Sequence, residues 1–294
     1  MLSNPVDGTA KGPAVRPPVS APVLGLLRAA HPAPAGAVTA LVTALAAASG
    51  RDAYGCLLVA LAVLTGQLSV GWSNDRIDLR RDLAAERCDK PLVTGAVQAR
   101  AVGTAAGCAL LLCVPLSLAN GLLAGSAQLI GVAAAWAYNL GVKATLLSWL
   151  PYALGFGLLA AFVTLGLPGH PWPPPWLVAA GALLGVGAHF TNVLPDIDAD
   201  LAAGIRGLPQ RLGRQRSRSV AALILLGASV VLVLGPAGPP GPAGWLGLAI
   251  TGALALATAL PLGTDPRSRL PFLATLALAA VDVTLLLLRG SSLA

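Results

Sequence analysis

Residues 71–82 read Gly71-Trp-Ser-Asn-Asp-Arg-Ile-Asp-Leu-Arg-Arg-Asp82, and they close a run, 53–73, that carries no charge. Asp75, Asp78 and Asp82 are spaced three and four apart, so a helix sets all three on one face. The run before them has the roughly 20 apolar residues that a bilayer crossing requires. Three like charges at its end repel one another, and a multivalent cation removes that cost. Hard oxygen ligands without His or Cys favour Mg2+, which takes one or two carboxylates and completes its shell with water and substrate phosphate oxygens.

A second acidic stretch reads Asn192-Val-Leu-Pro-Asp-Ile-Asp-Ala-Asp200 and is followed by Leu-Ala-Ala-Gly204. Asp196 and Asp200 share a helical face, whereas Asp198 points about 200° away from Asp196. Eight of the 12 acidic residues lie in 75–89 and 196–200. One such stretch at a membrane edge reads as a solvated loop. Two at matching places in the chain point to a shared site.

The rest of the chain supports a membrane setting. Of 294 residues 56% are hydrophobic and 11% charged, with mean hydropathy +0.77. A soluble domain carries roughly a quarter of its residues as charges. Nine segments are candidate spans, roughly 22–50, 53–73, 101–118, 121–141, 145–167, 174–194, 219–235, 244–262 and 271–288. Pro32 and Pro34 predict a kink in the first. Residues 1–21, rich in Pro and Gly with no apolar core, read as a disordered cytoplasmic tail and not as a signal peptide. The segment pattern divides 22–290 into two four-helix halves, about 22–142 and 145–262, plus a ninth helix.

Basic residues orient the chain. With the N-terminus inside and the C-terminus outside, 17 of the 19 Lys and Arg fall on the inside and only Arg51 and Arg289 outside. The net charge of +7 then follows from topology, and no nucleic-acid partner is called for. Both acidic stretches face the cytoplasm in this arrangement. Cys56, Cys88, Cys108 and Cys113 have no metal-type spacing and form no disulfide framework.

Cations flank the carboxylates: Arg80, Arg81, Arg87 and Lys90 after the first stretch, Arg206 and Arg211 after the second. Lys143 is the only charge between 101 and 195. Such groups suit diphosphate oxygens. Arg214, Arg216 and Arg218 read as topology alone. His189 and Phe190 read as packing residues. Asp282, inside the ninth segment, signals either function or an outer-leaflet packing role.

The motif Asn74-Asp75-x-x-Asp78-x-x-x-Asp82 resembles the signature of the UbiA superfamily of intramembrane prenyltransferases. Asp89-Lys90-Pro91-Leu92-x-x-Gly95 resembles its continuation, with Lys in place of Arg. Tyr138 and Lys143 resemble a Tyr-x-x-x-x-Lys element, and Asp196-x-x-x-Asp200-x-x-x-Gly204-x-Arg206-x-Leu208-Pro209 resembles the second motif. Family members often carry Thr or Ser where this chain has Gly207. The resemblance covers roughly 22–290.

What it implies is a nine-helix membrane enzyme of the UbiA type. It moves an isoprenyl group from a (poly)prenyl diphosphate to an acceptor, with Mg2+ as cofactor, in a bacterial-type cell membrane. Asp75, Asp78, Asp82, Asp196 and Asp200 would hold the metal. Arg87, Lys90, Lys143 and Arg206 would hold the diphosphate. Asn74, Tyr138 and Lys143 would serve the reaction, the Tyr138 ring by facing developing positive charge or else as an interface-belt residue. Arg28 and Asn74 would meet the acceptor. The favoured acceptor is an aromatic or quinone-precursor ring, while other aromatic, tetrapyrrole or sugar-phosphate acceptors meet the same machinery. Two alternatives stand beside this: a membrane terpene cyclase of the same superfamily, and a transporter, whose sites lie nearer the midplane than these carboxylates.

Overall fold

The computed structural model describes residues 20–259 and 270–289; their regular structure is all helical, with no strand among the described residues. Residues 1–19 of the proposed tail 1–21, residues 260–269 and residues 290–294 lie outside them, and α1 takes in the last two residues of that tail. Helices α1 (Ser20–Ala29) and α2 (Pro32–Ala48) replace the first segment, and the bend between them is 56°. The break has local causes. His31 takes the left-handed conformation, φ 52°, and Pro32 begins α2, where its missing N–H costs nothing.

Helix α3 (Ala53–Ala84) starts at Asp52, whose carboxylate accepts from the Gly55 N–H at 2.7 Å. It runs 32 residues. Its uncharged part spans the hydrocarbon thickness of about 30 Å, and the last three turns carry Asp75, Asp78 and Asp82 beyond it. The first acidic stretch is therefore the end of a helix and not a loop. Then come α4 (Ala99–Leu118), α5 (Leu122–Leu140), a 3-10 turn over Val142–Ala144, α6 (Leu150–Thr164) and α7 (Pro175–Val193). A second 3-10 turn, Leu194–Asp196, leads into the short helices α8 (Ile197–Ala202) and α9 (Leu208–Leu212). The chain ends in α10 (Arg214–Leu234), α11 (Pro242–Ala259) and α12 (Leu270–Arg289).

By length and composition four helical stretches among the described residues suffice to cross a membrane, or five if the bent α1–α2 pair is one span. Leu150–Thr164, Pro242–Thr258 and Leu273–Leu287 are shorter apolar helices. The protein is a membrane protein, and its surface is arranged accordingly. Leu111, Leu112, Leu122, Leu223, Leu246 and Leu256 are exposed on the outer helix faces, while Asp75, Asp78, Asp82, Asn139, His189 and Gln210 are buried. One apolar core runs through Val42, Val59, Val63, Phe162, Leu177, Leu225, Leu232 and Leu278, thickened by alanines. Small residues allow helix backbones to approach closely where lipid supplies no hydrophobic drive. Asp282 is buried in α12 and bonds the Ser229 hydroxyl of α10, which ties these two helices together.

Gly71 shows how packing serves the site. A Cβ there would lie 2.5 Å from the carbonyl oxygen of Ala30. Only glycine lets the α1–α2 break sit on α3 at this level, one turn before Asp75. Trp72 secures the same contact by donating from Nε1 to the Leu26 carbonyl at 2.8 Å.

Candidate active site

Both acidic stretches open into one cavity of about 690 Å3. Its rim is charged, and its deeper wall is built from apolar residues of α2, α3, α5 and α6. Arg28, Asn74, Asp75, Asp78, Asp82, Arg87, Lys90, Tyr138, Lys143, Asp196 and Asp200 all line it. Of the residues that the sequence assigned to metal, diphosphate, reaction or acceptor, Arg206 alone is not a lining residue. It is exposed, and its carbonyl accepts from Arg211 Nε at 2.7 Å. The chain leaves α8 through Gly204, φ 80°, so Ile205 turns into the cavity and Arg206 out of it.

Asp75 is 2% exposed. Its Oδ1 accepts from Lys90 Nζ at 2.7 Å and bonds His31 Nε2 at 2.8 Å. Asp78 is paired with Lys143 Nζ, with Arg81 Nη2 at 2.7 Å and with Asn74 Nδ2 at 3.2 Å. Asn74 Nδ2 also donates to Asn139 Oδ1 at 3.1 Å, and Asn139 is anchored in turn by donating to Ser73 Oγ at 2.8 Å and the Val70 carbonyl at 3.0 Å. The end of α5 is thereby fixed to α3, and the Val142–Ala144 turn that follows delivers Lys143 to Asp78.

In the second stretch, Asp200 accepts from Gln210 Nε2 at 2.8 Å. Asp196 is 3.9 Å from Arg87 Nη1, the one ion pair joining the two stretches among the described residues. Asp198 points away, as its spacing predicts, and pairs at the surface with Arg214 at 2.7 Å. Arg87 also makes two bonds to Asp89, at 2.9 and 3.0 Å. They hold the Asp89 carboxyl below the usual carboxylate range and push the Arg87 guanidinium up.

Helix α9, which carries Gln210, has no cap of its own, because its N-cap is Gly207. Ser148 supplies the missing oxygen from 60 residues earlier, with Oγ accepting from Leu208 N at 3.0 Å and bonding His189 Nε2 at 3.1 Å. A Cβ on Gly207 would lie 2.5 Å from the Lys143 carbonyl, 2.7 Å from Gln210 Oε1 and 3.0 Å from Ser148 Oγ. The tail of the second stretch therefore packs directly on the turn that presents Lys143.

His189 is buried, as its packing role requires, and its ring meets Tyr138 and Tyr152 at centroid distances of 5.7 and 4.9 Å. Tyr138 and Tyr152 stand edge to face at 5.3 Å. Sequence reasoning missed His31, Asn139, Tyr152 and Gln210. Only His31 left a trace, as a polar residue placed at the proline kink.

These features define an all-helical membrane protein with an acidic and basic cavity mouth above an apolar chamber. Comparison with known proteins gives the class its name. The sequence pattern of the UbiA prenyltransferase family matches residues 36–281, and the chain belongs to that family. It is a prenyltransferase. It is similar to digeranylgeranylglyceryl phosphate synthase of Methanothrix thermoacetophila, 27% identical over 74% of this chain and 80% of that one. The bacteriochlorophyll synthase 33 kDa chain of Cereibacter sphaeroides is 29% identical over 58% of this chain and 60% of that one. Among solved structures, a UbiA homolog from Archaeoglobus fulgidus bound to GPP and Mg2+ has TM-score 0.65 at 17% identity, covering 91% of this chain and 99% of that one. A UbiA homolog from Aeropyrum pernix K1 has TM-score 0.64 at 19% identity, covering 85% and 96%. At these identities the structural likeness concerns the fold.

Proposed function

We propose that the cavity transfers an isoprenyl group from its diphosphate to a small aromatic acceptor with Mg2+ as cofactor, releasing diphosphate. The observation that carries this is the convergence of Asp75, Asp78, Asp82, Asp196 and Asp200 with Arg87, Lys90 and Lys143 on one mouth above an apolar chamber. The donor set fits Mg2+. All five acids offer hard oxygens, and Asp75 Oδ2 is buried without a hydrogen-bond partner. Among the described residues no three His, Cys, Asp or Glu side chains stand close enough to hold a metal alone. That suits an ion that takes its remaining ligands from diphosphate and water.

When bound, Mg2+ would neutralise the charge that builds on the departing diphosphate. The chain's own groups do the rest. Arg87, Lys90 and Lys143 donate to diphosphate oxygens, and Lys143 does so from a recess where water competes little. The buried carboxylates hold these cations in place before substrate arrives. The isoprenyl tail lies in the apolar chamber, which keeps water from the allylic cation. Tyr138 and Tyr152 present ring surfaces to that cation and to an aromatic acceptor. Asn74, fixed between Asp78 and Asn139, positions the acceptor, and Arg28 at the rim draws an acidic substituent on it. Arg206 is set outside the diphosphate site.

The test is incubation of the purified protein with labelled prenyl diphosphates and a panel of acceptors, read by mass spectrometry. A prenylated aromatic product is expected. A prenylated lipid phosphate or tetrapyrrole in its place would displace the aromatic assignment. A cyclic hydrocarbon made with no acceptor present would replace transfer with cyclisation.

The same reading places nine spans in a bacterial-type cell membrane, with the N-terminus and the active site facing the cytoplasm and the C-terminus outside. The halves are about 22–142 and 145–262, with α12 as the ninth span. The excess of inside Lys and Arg supports it. A reporter fused after Ala294 is expected to be active only outside the cytoplasm. Activity only in the cytoplasm would remove one span.

A further inference from the structure

A second cavity lies between the end of α3 and the start of α4. It measures about 630 Å3 and is lined by Arg76, Ile77, Leu79, Arg80 and Ala99. Arg76 and Arg80 stand one turn apart on α3, so both project from one face. That face is roughly 150° round the helix from Asp75, Asp78 and Asp82. Neither arginine lines the mouth described above.

The two guanidiniums are unspent. Arg81 and Arg87, on the same stretch of chain, pair with Asp78 and with Asp89 and Asp196. Arg76 and Arg80 bond no other side chain among the described residues. The start of α4 adds open donors, because Gln98 at its N-cap makes no side-chain bond to the helix. Two forked cations and free backbone amides on one cavity suit a phosphate group.

The depth of the cavity says where that phosphate comes from. The uncharged run of α3 ends at residue 73. Arg76 lies about 5 Å beyond it and Arg80 about 10 Å beyond it. A headgroup layer is about 5–8 Å thick on each face of a bilayer. Arg76 sits within that layer, and the long Arg80 side chain can reach it from just outside. Towards the hydrocarbon, α4 leaves room for an alkyl chain. The three atoms nearest to a Cβ on Gly103 all belong to the Arg76 side chain, at 3.8 to 3.9 Å, and a Cβ on Gly107 would meet nothing within 4 Å. Leu111, one turn further along this face, is 74% exposed.

We propose that this cavity docks one anionic phospholipid, with its phosphate between Arg76 and Arg80 and an acyl chain along Gly103, Gly107 and Leu111. Basic pockets between membrane helices bind such headgroups. The positive-inside bias explains why arginines gather at this end of the bundle, but it does not ask two unpaired ones to share a cavity. The site is independent of the reaction assigned to the main cavity.

The experiment extracts the full-length protein from bilayers of equal phosphatidylglycerol and phosphatidylcholine and counts retained lipid by native mass spectrometry. Wild type is expected to keep one phosphatidylglycerol in preference to phosphatidylcholine. The Arg76→Gln/Arg80→Gln variant is expected to lower that preference about tenfold. An Arg211→Gln/Arg216→Gln control removes the same charge from two exposed positions and is expected to keep it within about twofold. A thermal melt checks folding. If the double variant misfolds, Arg80→Gln alone is read instead, with about a threefold fall expected. Equal retention of the two lipids by wild type overturns the proposal, as does an unchanged preference in the folded variant. An equal fall in the control overturns it too, and reduces the effect to overall charge. Displacement of the lipid by millimolar inorganic phosphate would assign the arginines to a soluble anion and likewise overturn it.

Discussion

Asp78→Ala is expected to lose both diphosphate release and prenyl transfer, each by about a thousandfold. Asp78 is the most heavily engaged acid of the mouth, bonded to Lys143, Arg81 and Asn74 at once. Its removal takes away a proposed metal oxygen and frees Lys143, and the two losses act on the same departing charge. An interaction needed only as the leaving group departs lowers kcat and not merely KM. Asp196→Ala is expected to lose both activities as well, although its carboxylate is half-exposed. Asp78→Asn separates charge from shape, because it keeps a side chain of the same size. Asn74→Ala is the contrast: it should still release diphosphate, with water or elimination consuming the cation. Diphosphate and product are measured separately for each variant. Wild-type diphosphate release from Asp78→Ala would refute the assignment of this stretch.

Treatment with EDTA is expected to reduce turnover to the background rate, and added Mg2+ to restore it. The argument is electrostatic. The mouth sets five carboxylates beside the place where a diphosphate must accept further negative charge. The cations that line it, Arg28, Arg81, Arg87, Lys90 and Lys143, do not exceed the acids in number and so cannot also offset the leaving group. A divalent ion held by the acids would supply the missing positive charge. Full turnover in EDTA would leave the acids without their proposed role and end the two-cluster metal assignment.

Much of this was legible in the sequence, for reasons that can be named. Hydropathy located the long helical segments, though not the short α8 and α9, because many apolar side chains, Leu111, Leu122 and Leu246 among them, stay exposed on the helices. The three- and four-residue spacings placed Asp75, Asp78, Asp82, Asp196 and Asp200 together because helix periodicity fixes faces. The same periodicity excluded Asp198, which pairs with Arg214 instead. The end of α3 was not legible. Hydropathy falls at residue 73, yet backbone hydrogen bonding continues to Ala84. Arg206 was misplaced because the turn at Gly204 decides which of two neighbouring side chains faces inward, and spacing carries no such information. His31 and Gln210 reach the carboxylates across a helix break and a turn, at separations of 44 and 10 residues. Only the folded path of the chain makes those neighbours.

The capping of α9 by Ser148 makes two distant positions interdependent. A hydroxyl-bearing residue at 207 would cap the helix from within, but its Cβ has no room against the Lys143 carbonyl and Ser148 Oγ. Ser148→Ala alone leaves Leu208 N–H and the buried His189 without their partner, and Gly207→Ser alone forces the Lys143 turn aside. The two changes made together relieve only the 3.0 Å contact with Ser148 Oγ, so the Lys143 turn must still shift before residue 207 can supply the cap. Variation at this corner is therefore expected to be epistatic, with a hydroxyl at 207 tolerated only where both position 148 and the turn that presents Lys143 have changed.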